Sequence, residues 1–141
     1  MYGAAQEDYK AAFLRDLVNL AKYIPHPIVI GGDINMLRFQ HEKSRGRFDN
    51  HWPFLFNVVI GILDLREVHT TGRHFIWTNN FPQTTYKKVD RVLMDTDWEP
   101  KYPLVTVRAL ERIEALSDHT QILLSTSILK PHVHHQFKFE L

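Results

Sequence analysis

The stretch Pro27-Ile28-Val29-Ile30-Gly31-Gly32-Asp33-Ile34-Asn35 decides the architecture of this chain. Its opening run is short, wholly apolar and β-branched, which predicts a strand over 27–30 buried on both faces and stopped by Gly31-Gly32. Asp33 and Asn35 then arrive at the carboxyl end of that strand. Two positions apart on extended backbone, they point to the same side. A carboxylate placed there can orient a water or bind a metal. Gly-Asp-x-Asn is also a good turn sequence, and local spacing leaves both readings open.

Working outward, Tyr9, Phe13, Leu17, Leu20 and Ile24 recur at three- and four-residue steps with Glu7, Lys10, Arg15, Asp16 and Lys22 between them. That pattern predicts an amphipathic helix over 6–24, ended by Pro25 and Pro27. Residues 38–49 are polar and basic, with Lys43, Arg45 and Arg47 close together, and read as a surface loop. Asp49 or Asn50 is placed to cap a second helix over 51–63. Beyond Leu65 the texture becomes strand-like. Residues 75–78 and 88–94 read as a hairpin across a turn-rich link, and 104–108 and 121–125 as two further strands. Residues 131–135 read as an irregular tail. The order predicts a mixed α/β chain of the α+β type, its helices covering a sheet and its second half mainly antiparallel.

The chain has 141 residues, one domain's worth. Seventeen Lys and Arg face 16 Asp and Glu, giving a formal net charge of +1. Any contact with phosphates must therefore come from a local patch, not from the whole field. Cys is absent, which excludes disulfides, thiolate zinc sites and Cys nucleophiles, and fits an intracellular setting. No apolar run approaches the ~20 residues that span a bilayer, and the first residues lack the basic and apolar regions of a signal peptide.

Two more places combine ionisable groups with strand ends. Ser117-Asp118-His119 precedes the apolar run Ile122-Leu123-Leu124; the plain alternative is a loop with a capping Ser or Asp. Asp90 sits in Val89-Asp90-Arg91-Val92-Leu93, where a carboxylate is costly unless paired. A His is one natural partner, Arg91 or Lys88 another. His132, His134 and His135 have loose spacing and no accompanying carboxylate at ligand distance, and read as an exposed tail.

Taken together, Gly31-Gly32-Asp33-Ile34-Asn35, Phe75-Ile76-Trp77-Thr78-Asn79, Lys88-Val89-Asp90-Arg91-Val92-Leu93 and Ser117-Asp118-His119 occur in an order that resembles the endonuclease/exonuclease/phosphatase (DNase-I-like) superfamily. Tyr2-Gly3-Ala4 is similar to that family's Tyr-Gly-Pro segment, with Ala4 in place of Pro. Glu42 to Asn57 and Trp98 to Leu116 resemble the endonuclease domain of plant LINE-type (non-long-terminal-repeat) retrotransposons. The resemblance implies a partial four-layer α/β sandwich over 1–127, largely antiparallel, with 128–141 a tail or a linker toward a reverse transcriptase. It implies metal-dependent phosphodiester hydrolysis on DNA, with nuclear work in the parent element and no membrane.

The resemblance also implies roles. Asp33 matches the aspartate that orients or deprotonates the attacking water, and Asn35 the amide that steadies the developing charge. His119 matches the histidine at the scissile phosphate, oriented by Asp90. Asp118 matches a metal-side carboxylate for Mg²⁺ or Mn²⁺. Tyr2, Trp77 and Asn79 match substrate-contacting positions, although Trp77 reads equally as plain core. The family's opening-strand asparagine and metal glutamate have no counterpart here. Glu7 and Glu42 are no substitutes, being expected on a helix face and in a loop. The expectations that follow are a weakly held metal, exposed sheet edges, and a chain that is truncated and cleaves DNA poorly or not at all. Two other readings stand beside this one. One is a non-catalytic fragment binding nucleic acid through Lys43, Arg45, Arg47, Lys87, Lys88 and Arg91. The other is a phosphatase acting on a phosphorylated small molecule.

Overall fold

The structure is a computed structural model and describes residues 1–112 and 117–126. The tail at 131–135, the linker at 128–141 and the last four residues of the Trp98 to Leu116 likeness, 113–116, lie outside the described residues. Helix α1 spans Glu7–Ala21 and α2 spans His51–Ile62. The strands are β1 Val29–Asp33, β2 Leu65–Glu67, β3 Thr70–Thr71, β4 Trp77–Thr78, β5 Tyr86–Lys87, β6 Asp90–Asp95, β7 Val105–Ala109 and β8 Ile122–Thr126. A short helix α3, Trp98–Lys101, links β6 to β7.

Strands β1, β6 and β2 form one antiparallel sheet in that order. A second sheet runs β3-β7-β8, with β3 and β7 parallel and β7 and β8 antiparallel. A small pair, β4 with β5, completes the framework. Period-two alternation explains the layering. On β6, Leu93 faces α1 and α2 and joins Leu14, Leu17, Ile30, Phe56 and Ile60 in one core. Val92 and Met94 face the other way and pack with Val68 and Val107 of the second sheet. Burying a residue such as Phe56 or Leu93 contributes about 1.5–3 kcal/mol. The result is a helix layer, a sheet and a second sheet, a partial sandwich of the kind expected. Among the described residues no helix is long and apolar enough to cross a membrane.

Three expectations need correction. The glycines do not stop β1, which runs through Gly31 and Gly32 to Asp33. They permit close approach instead. Gly32 has φ +139°, and a Cβ there would lie 2.1 Å from the Met1 carbonyl oxygen. The opening residues pass directly over this strand, and Tyr2 forms a parallel bridge to Asp33. The 75–78 and 88–94 hairpin is also replaced. β4 pairs with β5, while β6 pairs with β1 and β2. The chain switches sheets at Lys88 and Val89, where Lys88 N donates to the Glu42 carbonyl and the Val89 carbonyl accepts from Ile34 N. Finally, the loop at 38–49 is not wholly surface. Glu42 is buried, and Arg91 draws it inward.

Candidate active site

Four of the anticipated residues meet at one end of the β1–β6 pair. In register, Asp33 of β1 lies opposite Asp90 of β6, so two carboxylates emerge side by side at the strand ends. His119 comes from the segment before β8. That segment is strapped to β4: Thr120 N donates to the Ile76 carbonyl at 2.6 Å and Thr78 N to the Asp118 carbonyl at 3.1 Å. Thr78, Ile76 and Thr120 are buried, so His119 stands on a rigid base.

His119 Nδ1 is 2.8 Å from Asp90 Oδ2. An ionised carboxylate only accepts, so Nδ1 carries the hydrogen and Nε2 is left with its lone pair or a second proton. Nε2 lies 3.7 Å from Asp33 Oδ2, too far for a hydrogen bond. Asn35 Nδ2 donates to Asp33 Oδ2 at 2.9 Å and to the Gly3 carbonyl at 3.1 Å, and Asn35 N donates to Asp33 Oδ1 at 2.9 Å. Asn35 has φ +55°, a left-handed conformation that Asn tolerates better than most residues. The turn reading and the site reading of Gly-Asp-x-Asn are therefore one arrangement: the turn aims both side chains.

Burial pushes the Asp90 carboxyl above the ordinary range. The hydrogen bond and charge of His119 oppose that rise and the nearby Asp33 charge adds to it. Neither Arg91 nor Lys88 is its partner. Asp90 and Arg91 are adjacent on a strand and face opposite sides, and Arg91 points toward the helices.

That opposite side holds a buried charge network. The fully buried Arg91 donates to both oxygens of Glu42, at 3.1 and 3.0 Å, to Glu67 Oε2 at 2.9 Å, and to the carbonyls of Met36 and Lys88. Glu67 also pairs with Arg38 at 2.9 Å and Lys88 at 2.7 Å. Burial alone would raise Glu67, but the Arg91 charge, the bonds from Lys88 and Arg38 and the Lys88 charge hold it down at about 2, from 4.5. A depressed carboxylate stabilises the fold above its unfolded pKa and loses that contribution as pH falls toward its folded value. The expected outcome is a loss of about 3 kcal/mol between pH ~4.5 and ~2 from this group. Urea unfolding across that window, with Glu67→Gln flattening the dependence, checks it. The raised Asp90 works in the opposite sense, its contribution present in acid and fading as pH rises through its folded value.

The remaining anticipated residues sit around the rim. Asp118 is exposed, and its Oδ2 accepts from the Trp77 indole at 2.9 Å. Trp77 is half-buried, with Lys87 Nζ 4.8 Å from its ring centroid, so it is not plain core. Asn79 Oδ1 accepts from Thr85 N at 2.9 Å and closes the β4–β5 turn. Tyr2 is exposed beside the end of β1. Lys88 and Arg91 are committed to carboxylates and cannot serve a nucleic-acid surface. The buried network was missed because Glu42 lies in a polar stretch that reads as solvated, and Arg91, although flanked by apolar residues, reads as a neighbour for Asp90 and gives no local sign of its distant partners Glu42 and Glu67.

The family model described as Endonuclease/Exonuclease/phosphatase family matches residues 2–119. The chain belongs to that family. Comparison with curated proteins finds no match. The family's enzymes hydrolyse phosphodiesters or phosphate esters and typically use divalent metals. Mg²⁺ is commonly held by one or two carboxylates together with waters and substrate phosphates. The exposed Asp118, with one oxygen not engaged by Trp77, has the hard oxygen chemistry for that role. Among the described residues, the one group of three His or carboxylate atoms within 4.8 Å of one another is His26, Asp95 and Asp97. It lies at the other end of β6 from Asp90. There Asp95 already accepts from Ile28 N, His26 Nδ1 and Trp98 N, which is a structural tie.

Proposed function

We propose that this site carries out metal-dependent phosphodiester hydrolysis on DNA, as the endonuclease of a LINE-type retroelement. The observation that carries the reading is the 3.7 Å gap between His119 Nε2 and Asp33 Oδ2, flanked by the Asn35 amide and backed by Asp90. A phosphate placed at that gap meets a carboxylate base on one side and an imidazole donor on the other. Asp33 is the base that orients or deprotonates the attacking water. Its oxygens are fixed by the Asn35 amide and backbone, so the base is aimed before substrate arrives. His119 presents Nε2 to a non-bridging oxygen of the phosphate and donates there when protonated. Asp90 keeps the ring turned and supports positive charge on it. The Asn35 amide spends its two hydrogens on Asp33 and on the Gly3 carbonyl, so it acts by fixing the base; a positioned donor such as His119 contributes a few kcal/mol.

When bound, Mg²⁺ or Mn²⁺ would neutralise charge on the phosphate oxygens. Asp118, joined by the substrate's own oxygens, would hold it. One exposed carboxylate gives a weak grip, so activity in this chain is slow and demands high metal.

DNA is favoured over a soluble phosphate ester by the local supply of Lys and by the likeness of Glu42 to Asn57 to retroelement endonucleases. The test compares turnover on supercoiled plasmid with turnover on p-nitrophenyl phosphate. Slow plasmid nicking that EDTA abolishes, with no measurable monoester hydrolysis, is the expected result. Monoester turnover exceeding plasmid nicking would move the chain to the phosphatase reading.

A further inference from the structure

Next to Asn35 lies a polar pocket of about 260 Å³. Lys10 of α1, Lys43 and Arg47 of the loop before α2, and Lys87 of β5 line it, with Asn35 and Trp52 between them. The fold builds this cluster deliberately. Glu42 is locked by Arg91, and the backbone that follows it runs beside β5. Lys43 and Lys87 form an antiparallel bridge, Ser44 N donates to the Tyr86 carbonyl at 3.0 Å, and Lys88 N donates to the Glu42 carbonyl at 2.9 Å. Two lysines directly opposite on paired backbone repel, and such a pair is destabilising unless something negative lies between.

No ion pair among the described residues supplies that charge. Among the described residues no carboxylate lies within 4 Å of the ammonium of Lys10, Lys43 or Lys87. Lys43 Nζ donates to the Arg47 carbonyl at 2.8 Å, Lys10 Nζ lies 5.7 Å from the Trp52 ring centroid, and Lys87 Nζ rests over Trp77. Two carboxylates also line the pocket, against four cations: Asp49, whose Oδ1 already accepts from His51 N at 2.9 Å, and Glu7 in the first turn of α1. Burial, and then the charges of Lys43 and Lys10, hold the Lys87 ammonium below its ordinary range. An arriving anion relieves that repulsion.

We infer that this pocket seats a phosphate flanking the scissile one on the same DNA strand, with Lys10, Lys43 and Lys87 as its ligands. The inference rests on the phosphodiesterase reading and adds a subsite to it. Asn35 is the shared wall, steadying Asp33 on one side and facing the pocket on the other. The pocket then does two things for one substrate: it fixes the strand's register on the site, and it favours a polynucleotide over a lone phosphate ester.

The experiment measures binding of a short fluorescein-labelled DNA duplex by anisotropy, in EDTA, across a salt series. Replacing Lys10, Lys43 and Lys87 together by Gln is expected to flatten the slope of log Kobs against log[salt] by about one. Lys87→Arg in the otherwise native chain keeps the slope, because the charge stays. A control with Lys22, Arg66 and Lys101 replaced by Gln removes the same charge elsewhere and leaves the slope unchanged. An unchanged slope in the lysine triple variant, or equal flattening in the control, overturns the subsite. Lysine-dependent binding of inorganic triphosphate without lysine-dependent binding of DNA overturns it as well. Asp33→Asn, assayed for plasmid nicking in parallel, keeps the two failures apart. Undiminished nicking there sinks the phosphodiesterase reading, while lost nicking with equal slopes sinks the lysine subsite alone.

Discussion

Arg91→Met is expected to lower the stability of this chain by about 3–5 kcal/mol, the cost of breaking a buried ion pair by removing one partner. Arg91 has no exposed surface, and its guanidinium meets both oxygens of Glu42, one of Glu67 and two backbone carbonyls. Methionine fills much of the same volume but leaves Glu42 charged, 2% exposed and facing no cation. A small domain has roughly 5–15 kcal/mol in total, so the variant sits near the edge of folding. Urea denaturation followed by circular dichroism measures the loss. The double variant Arg91→Met/Glu42→Leu recovers part of it, because both charges leave together. A loss below about 1 kcal/mol in the single variant would contradict the assignment of Arg91 as the tie between the loop and the sheet. The position of this network matters for the site. Arg91 follows Asp90 on β6, and Glu42 precedes Lys43, so one buried arginine holds in place both the carboxylate behind His119 and a lysine of the neighbouring pocket.

His119→Ala is expected to slow plasmid nicking by about 10²–10³-fold, the range for losing one positioned donor to the developing negative charge. Asp90→Asn costs less, since the ring remains and only its orientation and electrostatic support are weakened. The two act as a unit through the 2.8 Å contact, so the double variant His119→Ala/Asp90→Asn is expected to be no slower than His119→Ala alone. Additive losses would mean that Asp90 works independently of the histidine, against the geometry described above. Single-turnover rates at saturating Mg²⁺ separate the two outcomes.

The four converging residues became candidates because each borders or interrupts an apolar run, and the order of their motifs, which resembles the family, singled them out where local pattern left plainer readings open. Asp33 and Asn35 follow an apolar run, Asp90 interrupts another, and His119 precedes a third. Long-range pairing was not legible. No local pattern says that Asp33 lies opposite Asp90, or that Trp77–Thr78 pairs with Tyr86–Lys87 instead of with β6. Strands of two or three residues, such as β2, β3 and β5, are too short for periodicity to register. The glycines of β1 misled for a related reason. A glycine that ends a strand and one that admits a crossing backbone look the same in sequence, and only the position of Met1 over Gly32 tells them apart. Charged residues hid the rest. Glu42, Glu67, Lys88 and Arg91 pair with one another largely out of water, and Lys10 faces a pocket assembled from β5 and the loop before α2.

The most direct test of the site is the nicking of supercoiled plasmid by Asp33→Asn beside the native chain, across a Mg²⁺ titration. The substitution keeps the side chain's shape and removes the base. Slow, Mg²⁺-dependent nicking by the native chain that drops to the EDTA background in Asp33→Asn is the predicted result. Nicking by Asp33→Asn equal to the native rate would place the chemistry elsewhere and contradict a single phosphate pocket built from Asp33, Asn35, Asp90 and His119.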